Sequence, residues 1–375
     1  MTKQNRKPFL NLNHMMMGCR FDVWLRLLIV NRFQISLRNI PQTLLITIIS
    51  LILFPFALLE RVLLLLPLRH RPVREPLFVL GHWRSGTTYL QNLLSRDPQF
   101  GYFDPVSTVT CHNSWLLRPL LRLVEKNALA DARPMDNMQY TMDLPMEEML
   151  AVNLSSQVCI AHMLCFVKRY QYYLDQAFVD ELPCGPRRNW GRVYTYLLKK
   201  QTFLCRNKQL MLKSPDSTCH AVELLRLFPD GKFINIYRNP YNVIPSTINM
   251  FNKLFAQQAL QDPPDSDLVE KTVLELFKRT YQKFFAELQQ FPADQLVEVR
   301  YEDFEQRPIE YMRNFYEHLG LGGFEAALPR FQEYVDSQKG YQKNHFTVRP
   351  ELVRKINQEL KFYFEHYGYE MMQEV

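Results

Sequence analysis

The sequence predicts an α/β fold, a central parallel β-sheet flanked by helices, preceded by an N-terminal helical segment that associates with membrane. Three observations carry this. Short apolar runs at 77–80, 210–212, 233–237 and 296–299 each read as a buried strand, and a helix-period pattern follows every one. Strands separated by helices build parallel sheets, since the crossover returns the chain to the edge it left. The charge is uneven as well. Residues 1–75 hold eleven Lys and Arg against Asp22, Glu60 and Glu75, although the whole chain carries only +7. Basic residues confined to one segment beside apolar sequence point to an anionic lipid surface, whereas a nucleic-acid binder spreads them over its folded face.

Taken in order, residues 1–20 are polar and basic with a run of Met. They read as a loosely ordered leader without the layout of a cleaved signal. Phe21 to Val30 is apolar except for Asp22 and Arg26, a helical turn apart. Such a helix suits the headgroup region, with Trp24 as its anchor. No charge occurs from Leu44 to Leu59; Glu60-Arg61 interrupts, and Val62 to Leu66 resumes. Read straight through, the stretch reaches the roughly 20 apolar residues that a bilayer requires. Pro55 at its middle, the ion pair near its end and basic flanks favour a hairpin that enters and leaves one leaflet, its arms 44–54 and 56–66. A single spanning anchor is the second reading, and a buried soluble hairpin the third. The expected division is 1–75, membrane-associating (hairpin or single anchor near 43–67), and 76–375, the globular domain.

The next stretch organises that domain. Leu77-Phe78-Val79-Leu80 leads into Gly81-His82-Trp83-Arg84-Ser85-Gly86-Thr87-Thr88-Tyr89-Leu90, which reads as strand, loop and helix. That order gathers backbone N–H groups and a helix N-terminus around a phosphate. Gly81, Gly86 and Thr88 fit the template G-x-x-x-x-G-K-[ST], which makes the fold P-loop-like, but Thr87 stands where the template has lysine. The cation of the loop is Arg84, three residues earlier. Such a loop still cradles a 5′-phosphate, and it is poorly equipped for a triphosphate and its metal. The bland alternative is an ordinary βα turn.

A second strand and helix follow at Phe233-Ile234-Asn235-Ile236-Tyr237-Arg238, with Asn239-Pro240 next and Ser246 eight residues after Arg238. Together, Arg84-Ser85-Gly86-Thr87-Thr88 and this arginine–serine pair resemble the sulfotransferase family, enzymes that use 3′-phosphoadenosine-5′-phosphosulfate (PAPS). The resemblance covers roughly residues 76–370. It implies transfer of a sulfuryl group from PAPS, as co-substrate, to a hydroxyl or amine. It also implies that Arg84, Ser85, Gly86, Thr87 and Thr88 hold the 5′-phosphosulfate, that Arg238 and Ser246 hold the 3′-phosphate, and that Tyr89 lies against adenine.

Three further stretches extend the resemblance. Arg133-Pro134-Met135-Asp136-Asn137, followed by Asp143-Leu144-Pro145-Met146-Glu147-Glu148, resembles a block of one large sulfotransferase branch in which a glutamate is the general base. On the residues alone, paired acids behind a proline are first-turn charges of a helix. The base stays open between Glu147 and Glu148. Lys213 closes the run 210–212 at the carboxyl edge of the sheet, where α/β folds place ligand-binding residues. Similar lysines in glycan sulfotransferases lie near the transferred group. Lys339-Gly340 with Lys343-Asn344-His345-Phe346-Thr347 resembles, at a shortened spacing, a loop that closes on the 3′-phosphate, which makes Lys339 a candidate.

The remaining chain reads as helices over 150–207, with a break at 182–189, and over 221–228, 242–255, 268–291, 309–319 and 351–367. Residues 102–115 read as an irregular substrate-side loop, and 296–304 as a structural strand and turn. Seven cysteines without a C-x-x-C pair argue against a disulfide framework or a zinc site and suit a reducing compartment. No metal and no nucleic-acid partner is expected; the partners are a lipid surface and a hydroxyl-bearing acceptor, a lipid or glycan among the candidates. The hairpin places the enzyme on the cytoplasmic face, a span on the Golgi membrane. Two other functions compete: a P-loop nucleotide kinase, opposed by the absent lysine, and an inactive membrane scaffold, opposed by Arg84, Lys213, Arg238 and Ser246 occurring together. Should neither glutamate act as base, His82, His112 and Asp104 come next.

Overall fold

Five strands, β1 (Leu77–Leu80), β2 (Phe100–Gly101), β3 (Gln209–Lys213), β4 (Lys232–Tyr237) and β5 (Leu296–Arg300), form one sheet in the order β2-β3-β1-β4-β5. Every pairing is parallel. These come from a computed structural model that describes residues 10–120, 144–339 and 348–373. All four residues of β1 are buried, as a central parallel strand covered on both faces requires. Its register sets Val79 level with Lys213 on one side and Ile234 on the other, so the carboxyl ends of three strands meet where the loop begins. The two-residue β2 is too short to leave a periodic signal in the sequence.

The chain divides into two compact units. The second holds residues 73–101, 208–250 and 266–375, and with them the whole sheet. Its core is aromatic: Phe78 stacks on Phe233 at 5.1 Å, and Tyr281 of the helix Ser266–Glu287 meets Tyr363 of the helix Pro350–Tyr367 at 4.6 Å. The first unit holds residues 1–72, 102–207 and 251–265.

Several expectations change in the first unit. Residues 10–20 of the leader are packed: His14 is buried with Nε2 at 2.9 Å from the Gln258 carbonyl, and Met16 is fully buried. Partners so distant in sequence leave no local pattern. Trp24 is not a headgroup anchor, because its ring is buried and its Nε1 donates to Thr47 Oγ1 at 2.9 Å. The chain does not reverse at Pro55. One helix runs from Ile40 to Leu63 with Pro55 inside it, about 36 Å long at 1.5 Å per residue. A proline removes one N–H from a helix and reverses the chain only where turn-forming residues accompany it, and here its neighbours are Phe54 and Phe56. Among the described residues this is the one helix long and apolar enough to cross a membrane.

The expected break at 182–189 ends early. The helix Cys184–Leu204 starts inside it, with Pro186 in the first turn, where no intrahelical N–H is needed. The segment 102–115 contains a short helix, Pro105–Val109, capped by Asp104, whose carboxylate accepts from the Ser107 N–H at 2.7 Å.

Candidate functional site

The loop after β1 is built by backbone conformations that few residues tolerate. Gly81 has φ +139°, and a Cβ there would sit 2.5 Å from the Ile236 carbonyl oxygen; Gly86 has φ +101°, and its Cβ would fall 2.1 Å from the Tyr301 ring. Between them Arg84 takes φ +69°, a left-handed conformation that costs a non-glycine residue on the order of 1 kcal/mol or more. Ser85 holds the turn, with both its N–H and its Oγ donating to the His82 carbonyl, at 3.1 and 2.7 Å. The helix Thr87–Leu94 starts at Gly86 with no side-chain cap, so its first-turn N–H groups face the loop mouth, the disposition that binds anions.

Residues far apart in sequence meet there. Arg84 Nε donates to Ser246 Oγ at 2.9 Å, and Arg238 Nη1 donates to the Arg84 carbonyl at 3.3 Å. The Arg238 guanidinium lies 4.3 Å from the Tyr301 ring centroid. Its backbone is bracketed by Tyr363, whose hydroxyl accepts from the Arg238 N–H at 3.3 Å and donates to its carbonyl at 3.0 Å. Among the described residues Arg238 Nε is buried without a hydrogen-bond partner. A buried cationic N–H left unpaired is costly unless a ligand oxygen completes it. Lys213, almost fully buried at the end of β3, extends Nζ to within 3.4 Å of Thr88 Oγ1. Tyr89 stacks against Tyr334 with centroids 6.1 Å apart.

Not every candidate joins this cluster. Lys339 projects from the surface, 76% exposed, and pairs with Asp336 at 2.7 Å. Its companion run from Gly340 to Thr347 lies outside the described residues, as do Arg133–Asn137 and Asp143. Glu147 and Glu148 belong to the first unit. Glu147 is the N-terminal flank of the helix Glu148–Ser155, while Glu148 is buried and accepts a hydrogen bond from the Tyr194 hydroxyl at 3.2 Å. Of the reserve bases, Asp104 is occupied as a cap and in an ion pair with Arg118. His112 Nε2 lies 3.0 Å from the Leu154 carbonyl. His82 is buried against Phe277, and burial pushes its imidazole down to about 4.

Sequence reasoning missed Tyr301 and Tyr363. The signal for Tyr301 was present: it immediately follows β5, and the carboxyl-edge rule that singled out Lys213 applies to it equally. Tyr363, inside a helix 125 residues from Arg238, carried none. Among the described residues no group of three His, Cys, Asp or Glu is placed to hold a metal ion.

Fold and loop define the class first: a parallel α/β domain whose strand–loop–helix turn sets an uncapped helix N-terminus beside two arginines. The chain belongs to the sulfotransferase family, whose family model matches residues 76–325. The omega-hydroxy-beta-dihydromenaquinone-9 sulfotransferase Stf3 of Mycobacterium bovis is 29% identical over 361 residues, covering 94% of this chain and 90% of that protein. The protein of the same name from Mycobacterium tuberculosis matches to the same extent. Among solved structures, sulfotransferase STF9 from Mycobacterium avium superposes with a TM-score of 0.64 at 18% identity, covering 96% of this chain and 99% of that one. STF1 from Mycobacterium tuberculosis H37Rv gives 0.64 at 15%, covering 91% and 92%. Both share the fold. The protein is therefore an enzyme of sulfuryl transfer.

Proposed function

We propose that this sulfotransferase moves a sulfuryl group from PAPS to a hydroxyl of a membrane-borne lipid, at the cytoplasmic face. The observation that carries the donor is the meeting of Arg84, Ser246 and Arg238, with a buried guanidinium N–H of Arg238 awaiting an acceptor. A nucleotide with phosphates at both 3′ and 5′ fits such a cradle: the glycines let the loop pack tightly against Ile236 and Tyr301, so that its N–H groups serve one phosphate, and the buried Arg238 N–H meets an oxygen of the other. Bound PAPS supplies a sulfuryl group on a phosphate leaving group. Arg84 and the first-turn N–H groups of the helix Thr87–Leu94 neutralise the charge that develops on that phosphate, with Thr87 and Thr88 as hydrogen-bond donors. Lys213 shares the charge through its position beside Thr88. Arg238 and Ser246 hold the 3′-phosphate, Lys339 approaches it from the surface, and Tyr89 offers its ring to adenine. Glu147 or Glu148 accepts the proton of the acceptor hydroxyl, a role worth about 10²- to 10⁴-fold in rate.

The lipid acceptor is supported by the name of the Stf3 relative, which acts on a hydroxylated menaquinone derivative, and by the apolar helix Ile40–Leu63. Two measurements test the reading. Calorimetry is expected to show adenosine 3′,5′-bisphosphate binding at least tenfold tighter than ADP; equal affinities would remove the 3′-phosphate from the argument. Membranes incubated with enzyme and ³⁵S-labelled PAPS are expected to yield label in the organic extract. Label confined to the polysaccharide fraction would make the acceptor a glycan.

A further inference from the structure

The helix Ile40–Leu63 is amphipathic in reverse. Its buried residues are Gln42, Ile46, Ser50, Ala57 and Glu60. Their spacings of four, four, seven and three place them on one stripe that runs the length of the helix. Three of the five are polar. On the other side Leu44, Ile48, Leu51, Ile52, Leu59 and Val62 are between 48% and 63% exposed. Water selects the opposite arrangement; hydrocarbon selects this one, with polar groups turned toward protein.

The helix is fastened at three heights. Near the start, Gln42 Oε1 accepts from the Asn11 N–H at 2.7 Å and its Nε2 donates to the Asn11 carbonyl at 3.1 Å. In the first half Thr47 receives the Trp24 indole. At the end Glu60, fully buried, pairs with the equally buried Lys200, and its second oxygen accepts from the Trp115 and Leu116 N–H groups at 3.1 and 2.7 Å. Lys200 Nζ also donates to the Cys111 carbonyl at 2.6 Å. All of these partners lie in the first unit. A span leaving a domain is buried at one end only and bathed in lipid on every side elsewhere. This helix is bound to its own domain from first turn to last. Exposed arginines stand at both ends of it, Arg26 and Arg32 before the helix, Arg61 in its last turn and Arg69 after, complementary to anionic headgroups.

We propose that Ile40–Leu63 lies flat in one leaflet of an anionic bilayer, its outer stripe among the acyl chains and its inner stripe closed against the first unit, so that the helix seats the enzyme without crossing. This rests on the reading of a membrane-borne acceptor and adds to it the mode of attachment.

Depth measurement decides. In the full chain, with the exposed Cys184 replaced by Ser, a nitrobenzoxadiazole dye is attached singly at Leu44→Cys, Ile52→Cys and Leu59→Cys. The labelled proteins are bound to phosphatidylcholine–phosphatidylglycerol vesicles whose lipids carry bromine at shallow or deep positions. All three dyes are expected to be quenched best by the same shallow bromines. Deep quenching at Ile52 with shallow quenching at Leu44 and Leu59 would mean a span, and would overturn the proposal. Ile48→Glu with Ile52→Glu is expected to weaken vesicle binding at least tenfold while adenosine 3′,5′-bisphosphate affinity in detergent stays within twofold; unchanged vesicle binding would overturn it too. The two readings fail separately. A wild-type chain that transfers sulfur but does not float with vesicles defeats the seat, whereas one that seats flat but labels no lipid defeats the acceptor.

Discussion

Glu60 and Lys200, buried in the first unit, and the half-buried Arg84 and Arg238 with Ser246 in the second are both charged clusters, yet they stand in opposite states of completion. Around Glu60 both oxygens are matched, by an ammonium and two backbone N–H groups, and the ammonium is matched again by a carbonyl. Around Arg238 one guanidinium N–H is buried with no acceptor among the described residues. A saturated cluster fastens; an unsaturated one binds. The difference separates the structural role of one set of charges from the ligand-directed role proposed for the other.

Substitution should expose that difference, most strongly at Lys200. Lys200→Met leaves Glu60 buried and unpaired, which is expected to cost about 3–5 kcal/mol of stability in urea unfolding. Glu60→Leu combined with Lys200→Met should recover most of it; a single loss below about 1 kcal/mol would break the comparison. Next come the two acids. One of Glu147→Gln and Glu148→Gln is expected to lower turnover by about 10²- to 10⁴-fold with bisphosphate affinity preserved, and full activity in both would move the base elsewhere. Arg238→Ala should then weaken adenosine 3′,5′-bisphosphate about 10- to 150-fold, the worth of one or two charge-assisted bonds, with stability changed by less than about 1 kcal/mol. A large loss of stability with unchanged affinity would reverse the two roles.

Acid sharpens the comparison by acting on both units, and harder on the first, where burial also pushes His112 down to about 3. Burial pushes His82 in the second unit and His162 in the first down to about 4, while an unfolded histidine protonates near 6.5. Between those values the unfolded chain binds more protons, so stability is complete above about pH 6.5 and falls as the pH drops toward 4. The loss is about 2 kcal/mol for each histidine by pH 5, read from melting curves across that range. A flat profile would mean that none of the three rings is shielded. The smallest effect belongs to Lys339→Ala: an exposed charge is worth about 0–1 kcal/mol, so the bisphosphate should weaken no more than about fivefold.

Much of this architecture is legible because its signals are local. Strand, loop and helix at 77–94 are encoded by consecutive residues, and the spacing of Arg238 and Ser246 sits within one strand–helix turn. Tyr301 stood at the carboxyl edge of β5, where its position could have been read, but its contacts with Gly86 and Arg238 could not. The break expected at 182–189 and the reversal expected at Pro55 erred for one shared reason. Proline forbids a hydrogen bond, and neither site requires the chain to turn for that: Pro186 falls in a first turn, and Pro55 lies in a helix pinned by contacts along its length.

The residues by themselves determined the parallel α/β plan and the cation-bearing loop, since periodicity and spacing over a dozen residues suffice to specify each, while the family came from the resemblance of two motifs and the match of its model. Only the tertiary structure decided which side of the long apolar helix is inside and that Arg238 meets Arg84 with a buried N–H unmatched among the described residues. Glu60 finds Lys200 across 140 residues, and Arg238 finds Arg84 across 154. Pairings over such distances are chosen by packing, which no local pattern records.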